Sequence, residues 1–230
     1  MLEILYEDNH VIVAYKESGI LSQADISNDK DILNMVKEYI KEKYNKPGAV
    51  YTGLVHRLDR NTSGLMVFAK TSKAASRLSE DIKKRNFTKC YLAVVEGIIE
   101  GNGTLKNKLK KNEKENKSYV SNDGLEAILN YEVLDNITFE KKNYSLVKIE
   151  LLTGRHHQIR CQFAHIGHPL FGDAKYGAKT LVGNYFALSA YKLEFMHPTL
   201  KEVKSFTYFK ENKGFELFVK GDNLIKKYDL

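Results

Sequence analysis

The chain has 230 residues, of which 43% are hydrophobic and 28% charged, and this composition excludes a disordered or collagen-like chain. Its 36 lysines and arginines exceed its 29 acidic residues, and the formal net charge of +7 favours a polyanionic partner. No run approaches the roughly 20 apolar residues that cross a bilayer, so we expect no membrane segment and a cytoplasmic location. A chain of this length buries about 70–75% of its unfolded surface, which predicts one domain over residues 1–230.

The first half of the chain predicts strands and two amphipathic helices. Residues 1–8 are expected to start a strand, 11–15 to form a buried strand, and 19–21 a turn with a short strand. Asp31 is expected to cap a helix that stops at 46–48. The apolar residues of its buried face are Ile32, Val36, Tyr39, Ile40 and Tyr44.

A further strand and the second helix follow. The chain passes through 53–58, turns at 61–64 and continues as an apolar strand at 65–70. Ser72 is expected to cap the second helix, which ends in the cationic turn 83–85. Its inward residues are predicted to be Ala75, Leu78 and Ile82.

The second half predicts mostly strands, at 89–97, 127–134, 144–151, 185–195 and 201–209. Residues 106–117 contain six lysines and one large apolar residue, Leu109, and predict an exposed, mobile arm or loop. A helix with Ile159, Phe163 and Ile166 on one face follows 153–155, and residues 220–230 form either a short helix or a frayed tail. Many strands with about three helices indicate an α+β fold.

The run at 56–65 (HRLDRNTSGL) places Asp59 between Arg57 and Arg60, just before an apolar strand. A guanidinium within a few ångströms keeps a carboxylate ionised, which suits a nucleophile rather than a proton donor. Taken alone, the triplet RLD fits better a turn aspartate held by surface arginines.

Three further blocks occur in order after this run: 89–97 (KCYLAVVEG), 153–160 (TGRHHQIR) and 172–177 (GDAKYG). Together the four blocks resemble the RluA-type pseudouridine synthases, which isomerise uridine within RNA. The resemblance implies a central mixed, largely antiparallel sheet flanked by a few helices, with an active-site cleft across the sheet. It also implies action on structured rRNA or tRNA by base flipping, without cofactor or metal.

The resemblance assigns catalytic roles to three residues. Asp59 is implied to be the anionic group near the sugar; attack at C1′, attack at C6 and removal of a sugar proton all stay open. Tyr91 is implied to stack on the uracil and accept the C5 proton, and otherwise it simply packs in its strand. Arg160 is implied to pair with Asp59, the alternative being a surface arginine bound to another acid. Ile159 would wall the pocket.

Further residues are expected to bind the RNA. Arg57 would fill the gap left by the flipped nucleotide or clamp a phosphate, and Arg155 would contact the phosphate backbone; both could instead be solvated charges. Leu58 and Thr62 are also expected to line the substrate site. Lysines of 106–117 and the turn 83–85 border the RNA path or form a solvated face.

Other polar residues receive structural roles. His56 and His157 are expected to be hydrogen-bonding residues rather than proton shuttles. Gln162 stands where relatives commonly carry histidine. Cys90 and Cys161 lie in apolar segments without a metal-ligand spacing and are predicted to be core residues rather than part of a zinc site.

The chain begins almost at once with the first strand, so we expect no N-terminal S4 domain, and we expect a monomer. One rival hypothesis is a catalytically silent RNA-binding or ribosome-assembly factor with the same fold. A more remote rival is a nuclease or deaminase, which the sequence does not favour because it lacks paired metal-spaced carboxylates and a zinc signature.

Overall fold

The structure is a computed structural model that describes residues 2–219 and 224–230. The chain folds into two compact bodies. The first body contains the described residues up to Thr88 together with Lys192–Tyr208, and the second contains Lys89–Tyr191 and the described residues from Phe209 onward. In the described ranges, no helix is both long and apolar enough to cross a membrane.

The elements follow one another as strands interrupted by short helices. The strands are β1 (Glu3–Glu7), β2 (Val11–Lys16), β3 (Gly53–Leu54), β4 (Ser63–Ala69), β5 (Phe87–Glu96), β6 (Gly103–Asn112), β7 (Lys117–Val120), β8 (Leu125–Phe139), β9 (Lys142–Leu151), β10 (Leu188–Met196) and β11 (Val203–Thr207). The α-helices are α1 (Ile32–Lys43), α2 (Ser72–Lys83), α3 (Gln158–His165) and α4 (Leu224–Tyr228). Two single-turn 3-10 helices span Ala174–Tyr176 and Phe215–Leu217.

The first body is built on an antiparallel meander of β1, β2 and β4. Val11 lies opposite Ala69 and Lys16 opposite Gly64, so β2 and β4 are paired along their whole length. All residues of both strands are buried, which explains why they read as continuous apolar runs rather than as alternating ones.

Capping side chains begin the two helices of this body. The Asp31 carboxylate accepts the Asn34 amide N–H at 2.9 Å, as predicted for α1. The cap of α2 is Thr71, whose hydroxyl accepts the Ala74 N–H at 3.1 Å, so the prediction of Ser72 was wrong by one residue. Tyr44 was also wrongly placed in the core, because α1 ends at Lys43 and the Tyr44 side chain is 47% exposed.

The second body contains the antiparallel strands β5, β9, β8, β6 and β7 in this spatial order. Tyr91 of β5 lies opposite Ile149, and Ile149 lies opposite Tyr131 of β8. The Tyr131 ring contacts the edge of Phe163 on α3, with ring centroids 5.7 Å apart. Because directly opposed residues project to the same side of a sheet, Tyr91 lies on the face that α3 covers.

The lysine-rich segment was predicted wrongly as a loop, since most of it is strand β6, followed by a turn and the start of β7. Leu105, Asn107 and Leu109 point toward the body, while Lys106 and Lys108 alternate with them on the exposed side. Asn107, a polar residue at an inward position, interrupts the alternation of apolar and polar residues that marks a half-buried strand.

Several boundaries also differ from the prediction. The helix α3 ends at His165, and Ile166, expected on its buried face, is 38% exposed. The two late strands are shorter than 185–195 and 201–209 and run as β10 and β11. The tail prediction at 220–230 lies partly outside the described residues, but Leu224–Tyr228 is a short helix.

A buried carboxylate joins the N-terminal strand to α1 and to the end of β4. Glu7 accepts hydrogen bonds from Lys43 and Lys70, each at 2.6 Å, and from the Tyr44 hydroxyl at 2.8 Å. Burial alone would raise the pKa of Glu7. The hydrogen bonds outweigh burial, and the pKa falls from 4.5 to about 2.

This shift predicts an acid-dependent loss of stability. Between pH 4.5 and about 2, Glu7 is protonated in the unfolded chain but stays ionised in the folded protein. The free energy of unfolding therefore falls as the pH falls through this range. We expect Glu7→Gln to remove about 2 kcal/mol of this acid-dependent loss, measured by urea unfolding across that range. Glu38→Gln, at an exposed position of α1, should leave the slope unchanged, and equal slopes in all three proteins would contradict the assignment.

Candidate active site

The predicted catalytic Asp59 lies in a tight turn just before β4. Its carbonyl oxygen accepts the Thr62 N–H at 3.0 Å, and its side chain is half-buried. The preceding Leu58 is buried, and both of its backbone polar groups bond the Ser22 hydroxyl, which accepts its N–H at 3.0 Å and donates to its carbonyl at 2.7 Å. The backbone on either side of the carboxylate is therefore fixed.

Lys16, the last residue of β2, also holds this turn, through a hydrogen bond to the Arg60 carbonyl. The sequence analysis did not single it out. Its side chain is fully buried, and its ammonium donates to the carbonyls of Ile20 at 2.7 Å, Arg60 at 2.8 Å and Glu17 at 3.1 Å. Burial lowers the pKa of Lys16 to about 7, although the negative charge of Asp59 opposes this shift. A lysine that ends the apolar run VIVAYK was the available signal.

The two arginines of the motif are exposed. Arg60 forms an ion pair with Asp29 at 2.7 Å, and its Nε donates to the Gly19 carbonyl at 3.2 Å. The Arg60 guanidinium therefore braces the neighbouring loop that contains Gly19 and Asp29. For Arg57, filling the gap left by the flipped nucleotide or clamping a phosphate stays a prediction.

In the second body, Arg160 forms a buried two-pronged ion pair. Its Nε and Nη2 donate to the two carboxylate oxygens of Asp173 at 2.6 and 2.9 Å. The guanidinium lies over the Phe186 ring at 4.2 Å and the Tyr176 ring at 5.0 Å from their centroids. The predicted partner, Asp59, belongs to the other body, and that pairing stays a prediction. Asp173 was not singled out, although it stands in the GDAKYG block.

A hydrogen-bonded network supports the Arg160 side of this body. The Tyr176 hydroxyl accepts the Ser118 N–H at 2.8 Å and lies 3.1 Å from His157 Nδ1. Burial, and after it the positive charge of Arg160, lowers the pKa of His157 to about 2, so the imidazole is neutral where its Nδ1 shares a hydrogen bond with the Tyr176 hydroxyl. Lys175 donates to two carbonyls at residues 115–116, both at 3.2 Å, and so holds the turn between β6 and β7.

His157 is thus a hydrogen-bonding residue, as expected, and His56 also bonds the backbone by accepting the Val67 N–H at 3.1 Å. Gln162 is fully buried, and its amide nitrogen bonds the Leu105 carbonyl at 3.2 Å and Asn107 at 2.8 Å. In this chain, Gln162 therefore fastens α3 to strand β6.

Arg155 lies three residues before the first residue of α3 and not at the helix start. The helix starts at Gln158, and the Gln158 side-chain oxygen already accepts the Arg155 N–H at 3.0 Å. The exposed Arg155 side chain donates from Nε to the Glu126 carbonyl at 2.8 Å. Phosphate binding by Arg155 would therefore involve the outer nitrogens of its guanidinium rather than a helix N-terminus.

The remaining predicted residues are buried. Tyr91 and Ile159 are in the second body, Leu58 and Thr62 in the first. Cys90 and Cys161 are buried free thiols, as predicted, and burial raises the pKa of Cys161 to about 11. Within the described part of the chain, no group of three potential metal ligands is placed to hold an ion.

Comparison with known proteins decides the family. The family model described as RNA pseudouridylate synthase matches residues 10–165, more than half of the chain. The chain belongs to this family. The matched range contains Asp59, Tyr91 and Arg160 and ends at the last residue of α3.

Similar proteins carry related names. The chain is 34% identical over 213 residues to an uncharacterized RNA pseudouridine synthase of Aquifex aeolicus, covering 87% of this chain and 67% of that protein. It is 38% identical over 180 residues to the ribosomal large subunit pseudouridine synthase D of Pseudomonas aeruginosa, covering 77% of this chain and 54% of that protein. The chain thus spans about half to two thirds of the length of these curated relatives.

Solved structures show the fold. Human RNA pseudouridylate synthase domain containing 1 superposes with a TM-score of 0.73 at 24% identity, covering 96% of this chain and 88% of that one. Human RNA pseudouridylate synthase domain containing 4 gives 0.74 at 21% identity, over 93% and 90%. The chain has the α+β pseudouridine synthase fold, as the sequence analysis expected.

Lys16→Met tests how the Asp59 turn is held. The substitution removes the ammonium from three part-buried hydrogen bonds to carbonyls, and we expect the free energy of unfolding to fall by about 3 kcal/mol. Hydrogen exchange at the Gly19 amide, which bonds the Arg60 carbonyl, should accelerate. Lys37→Met on α1 is the matched control, and the same stability in both variants would refute the role of Lys16.

Asp173→Asn tests the buried ion pair. It removes the negative charge that Arg160 Nε and Nη2 contact in the buried pair, and we expect a loss of about 3 kcal/mol in urea unfolding. Asp123→Asn removes the carboxylate that Lys110 contacts on the surface of the same body, and its unfolding midpoint should stay at the wild-type value. Equal midpoints for the two variants would show that the buried pair does not stabilise this body.

Proposed function

We propose that this protein is an RNA pseudouridine synthase that isomerises uridine to pseudouridine in structured rRNA or tRNA. The family match over residues 10–165 carries the proposal, because the matched range contains the first three of the four sequence blocks and, with them, the Asp59 turn. The reaction breaks the N1–C1′ bond, turns the uracil and forms C5–C1′. It transfers no group to another molecule and changes no oxidation state.

Asp59 is proposed as the catalytic nucleophile or base. The reaction needs an anionic group near the sugar, and the backbone at Asp59 is fixed by Thr62, Ser22 and Lys16 before any substrate binds. A charge on a fixed backbone needs little reorganisation when positive character develops on the sugar. This arrangement supports attack on C1′, attack on C6 and proton removal equally, so the route stays open.

Tyr91 and Arg160 are proposed as the other catalytic residues. Tyr91 offers an aromatic face for a uracil and a hydroxyl to take the C5 proton. The Arg160 guanidinium is held by Asp173 and by two aromatic rings, which leaves it one orientation from which to stabilise an anion. Ile159, next to it on α3, supplies an apolar wall.

The substrate is proposed to reach the site by base flipping, which costs a few kcal/mol of unstacking. Exposed Arg57 and Arg155 suit phosphate contacts or the gap left by the base, while Leu58 and Thr62 shape the site near Asp59. The name of the Pseudomonas relative supports ribosomal RNA as one substrate. We propose a monomer that acts on RNA in the cytoplasm.

Asp59→Asn is the decisive test. The change keeps the shape of the side chain and removes its charge, so release of tritium from RNA labelled at C5 of uridine should fall by at least about 10³-fold, equivalent to about 4 kcal/mol. Asp25→Asn makes the same change at an exposed position of the same body and should keep full activity. Retained turnover in Asp59→Asn would overturn the assignment.

A second measurement separates catalysis from mere RNA binding. RNA containing 5-fluorouridine should give a gel-stable adduct or a hydrated product with the wild type and neither with Asp59→Asn. A silent RNA-binding protein would bind that RNA without changing it.

A further inference from the structure

Three lysines gather around one exposed tyrosine at the end of α1. The Nζ atoms of Lys70, Lys43 and Lys46 lie 4.9, 5.6 and 5.9 Å from the centroid of the Tyr44 ring. Tyr44 is 47% exposed, and Lys43 and Lys46 are exposed as well. We call these four residues the Tyr44 cluster. None of them has a part in the proposed chemistry.

The cluster carries excess positive charge in a fixed arrangement. Glu7 bonds Lys43, Lys70 and the Tyr44 hydroxyl, and its side chain is only 6% exposed, so it lies beneath the cluster. One carboxylate facing three ammonium groups leaves two positive charges for an outside anion. Because Glu7 and the ring already order the lysines, an anion bound there would cost little further side-chain entropy.

The cluster lies at the opposite end of β4 from Asp59. Lys16 and Gly64 pair at one end, where Lys16 also holds the Arg60 carbonyl, and Val11 and Ala69 pair at the other, next to Lys70. Five residue steps of about 3.3 Å separate these ends by about 17 Å. At roughly 3.4 Å per nucleotide along a stacked strand, this separation corresponds to about five nucleotides.

We propose that the Tyr44 cluster is a second RNA contact, which binds the phosphate backbone of the substrate about five nucleotides from the target uridine. The inference rests on the proposed function, because it takes the RNA at Asp59 as its ligand. Backbone phosphates supply the missing negative charge. The exposed Tyr44 face gives an adjacent unpaired base or sugar a surface to pack on.

The test measures RNA binding independently of catalysis. Affinity for a fluorescent 20-nucleotide oligouridylate is measured by anisotropy over a range of salt concentrations for wild type and for K43Q/K46Q. Two lost phosphate contacts should raise Kd about tenfold at low salt and make the plot of log K against log salt shallower by about 1.4. K141Q/K142Q removes two exposed lysines, one in the β8–β9 turn and one at the first residue of β9, and should keep the wild-type slope.

A charge-preserving variant separates charge from packing. K43R/K46R should restore affinity and slope to near wild-type values. Lys46→Gln alone, at an exposed residue that does not bond Glu7, keeps the test valid if the double variant fails to fold, and it should reduce the slope by about 0.7. A wild-type slope in K43Q/K46Q, an equal loss in K141Q/K142Q or no rescue by arginine would overturn the proposal.

Kinetics distinguish this contact from the catalytic site. With a long structured RNA, K43Q/K46Q should raise KM about tenfold and leave kcat unchanged, because the contact binds substrate and transition state alike. Asp59→Asn should instead abolish kcat while keeping the binding slope. A shallower dependence of log K on log salt in K43Q/K46Q would support the RNA contact even if Asp59 proved dispensable. An unchanged dependence would refute the contact even if Asp59 proved essential.

Discussion

The buried ammonium of Lys16 is the interaction on which the candidate catalytic turn depends. Three carbonyls from two loops converge on it, and together they fix the backbone on which Asp59 is carried. An ammonium placed among carbonyl dipoles satisfies those groups in the absence of water, and its charge adds an attractive potential for the neighbouring carboxylate. The backbone that carries Asp59 is thus set in place by the fold of the first body.

The second body solves a related problem with an arginine. A guanidinium donates in its own plane, and both carboxylate oxygens of Asp173 accept from it, while the Tyr176 and Phe186 rings lie within 5.0 Å of it. Charged groups this far from water are stable only when every donor has an acceptor. Both candidate catalytic regions therefore contain a buried cationic side chain that donates hydrogen bonds to groups of the same body.

Features that depend on local chemistry could be predicted from the sequence. Continuous apolar runs indicated β2 and β4, Asp31 indicated the start of α1, and the HRLDRNTSGL run pointed to the family. Features that depend on distant partners could not. From the sequence, Lys16 is indistinguishable from a surface lysine, because its carbonyl partners are known only from the fold. The structural role of Asp173 likewise depends on its contact with Arg160. Strand β6 escaped because pairing with β8, rather than its own composition, makes it a strand.

The bond between Lys175 and the β6–β7 turn has a mechanical consequence. The two carbonyls that Lys175 holds lie at the exposed tip of a lysine-bearing hairpin, and the next residue, Tyr176, packs on Arg160. The hairpin tip and the Arg160 guanidinium are thereby connected through two consecutive residues, Lys175 and Tyr176. A molecule that displaced the tip of this hairpin would therefore act on the residue that directly precedes the ring packed on Arg160.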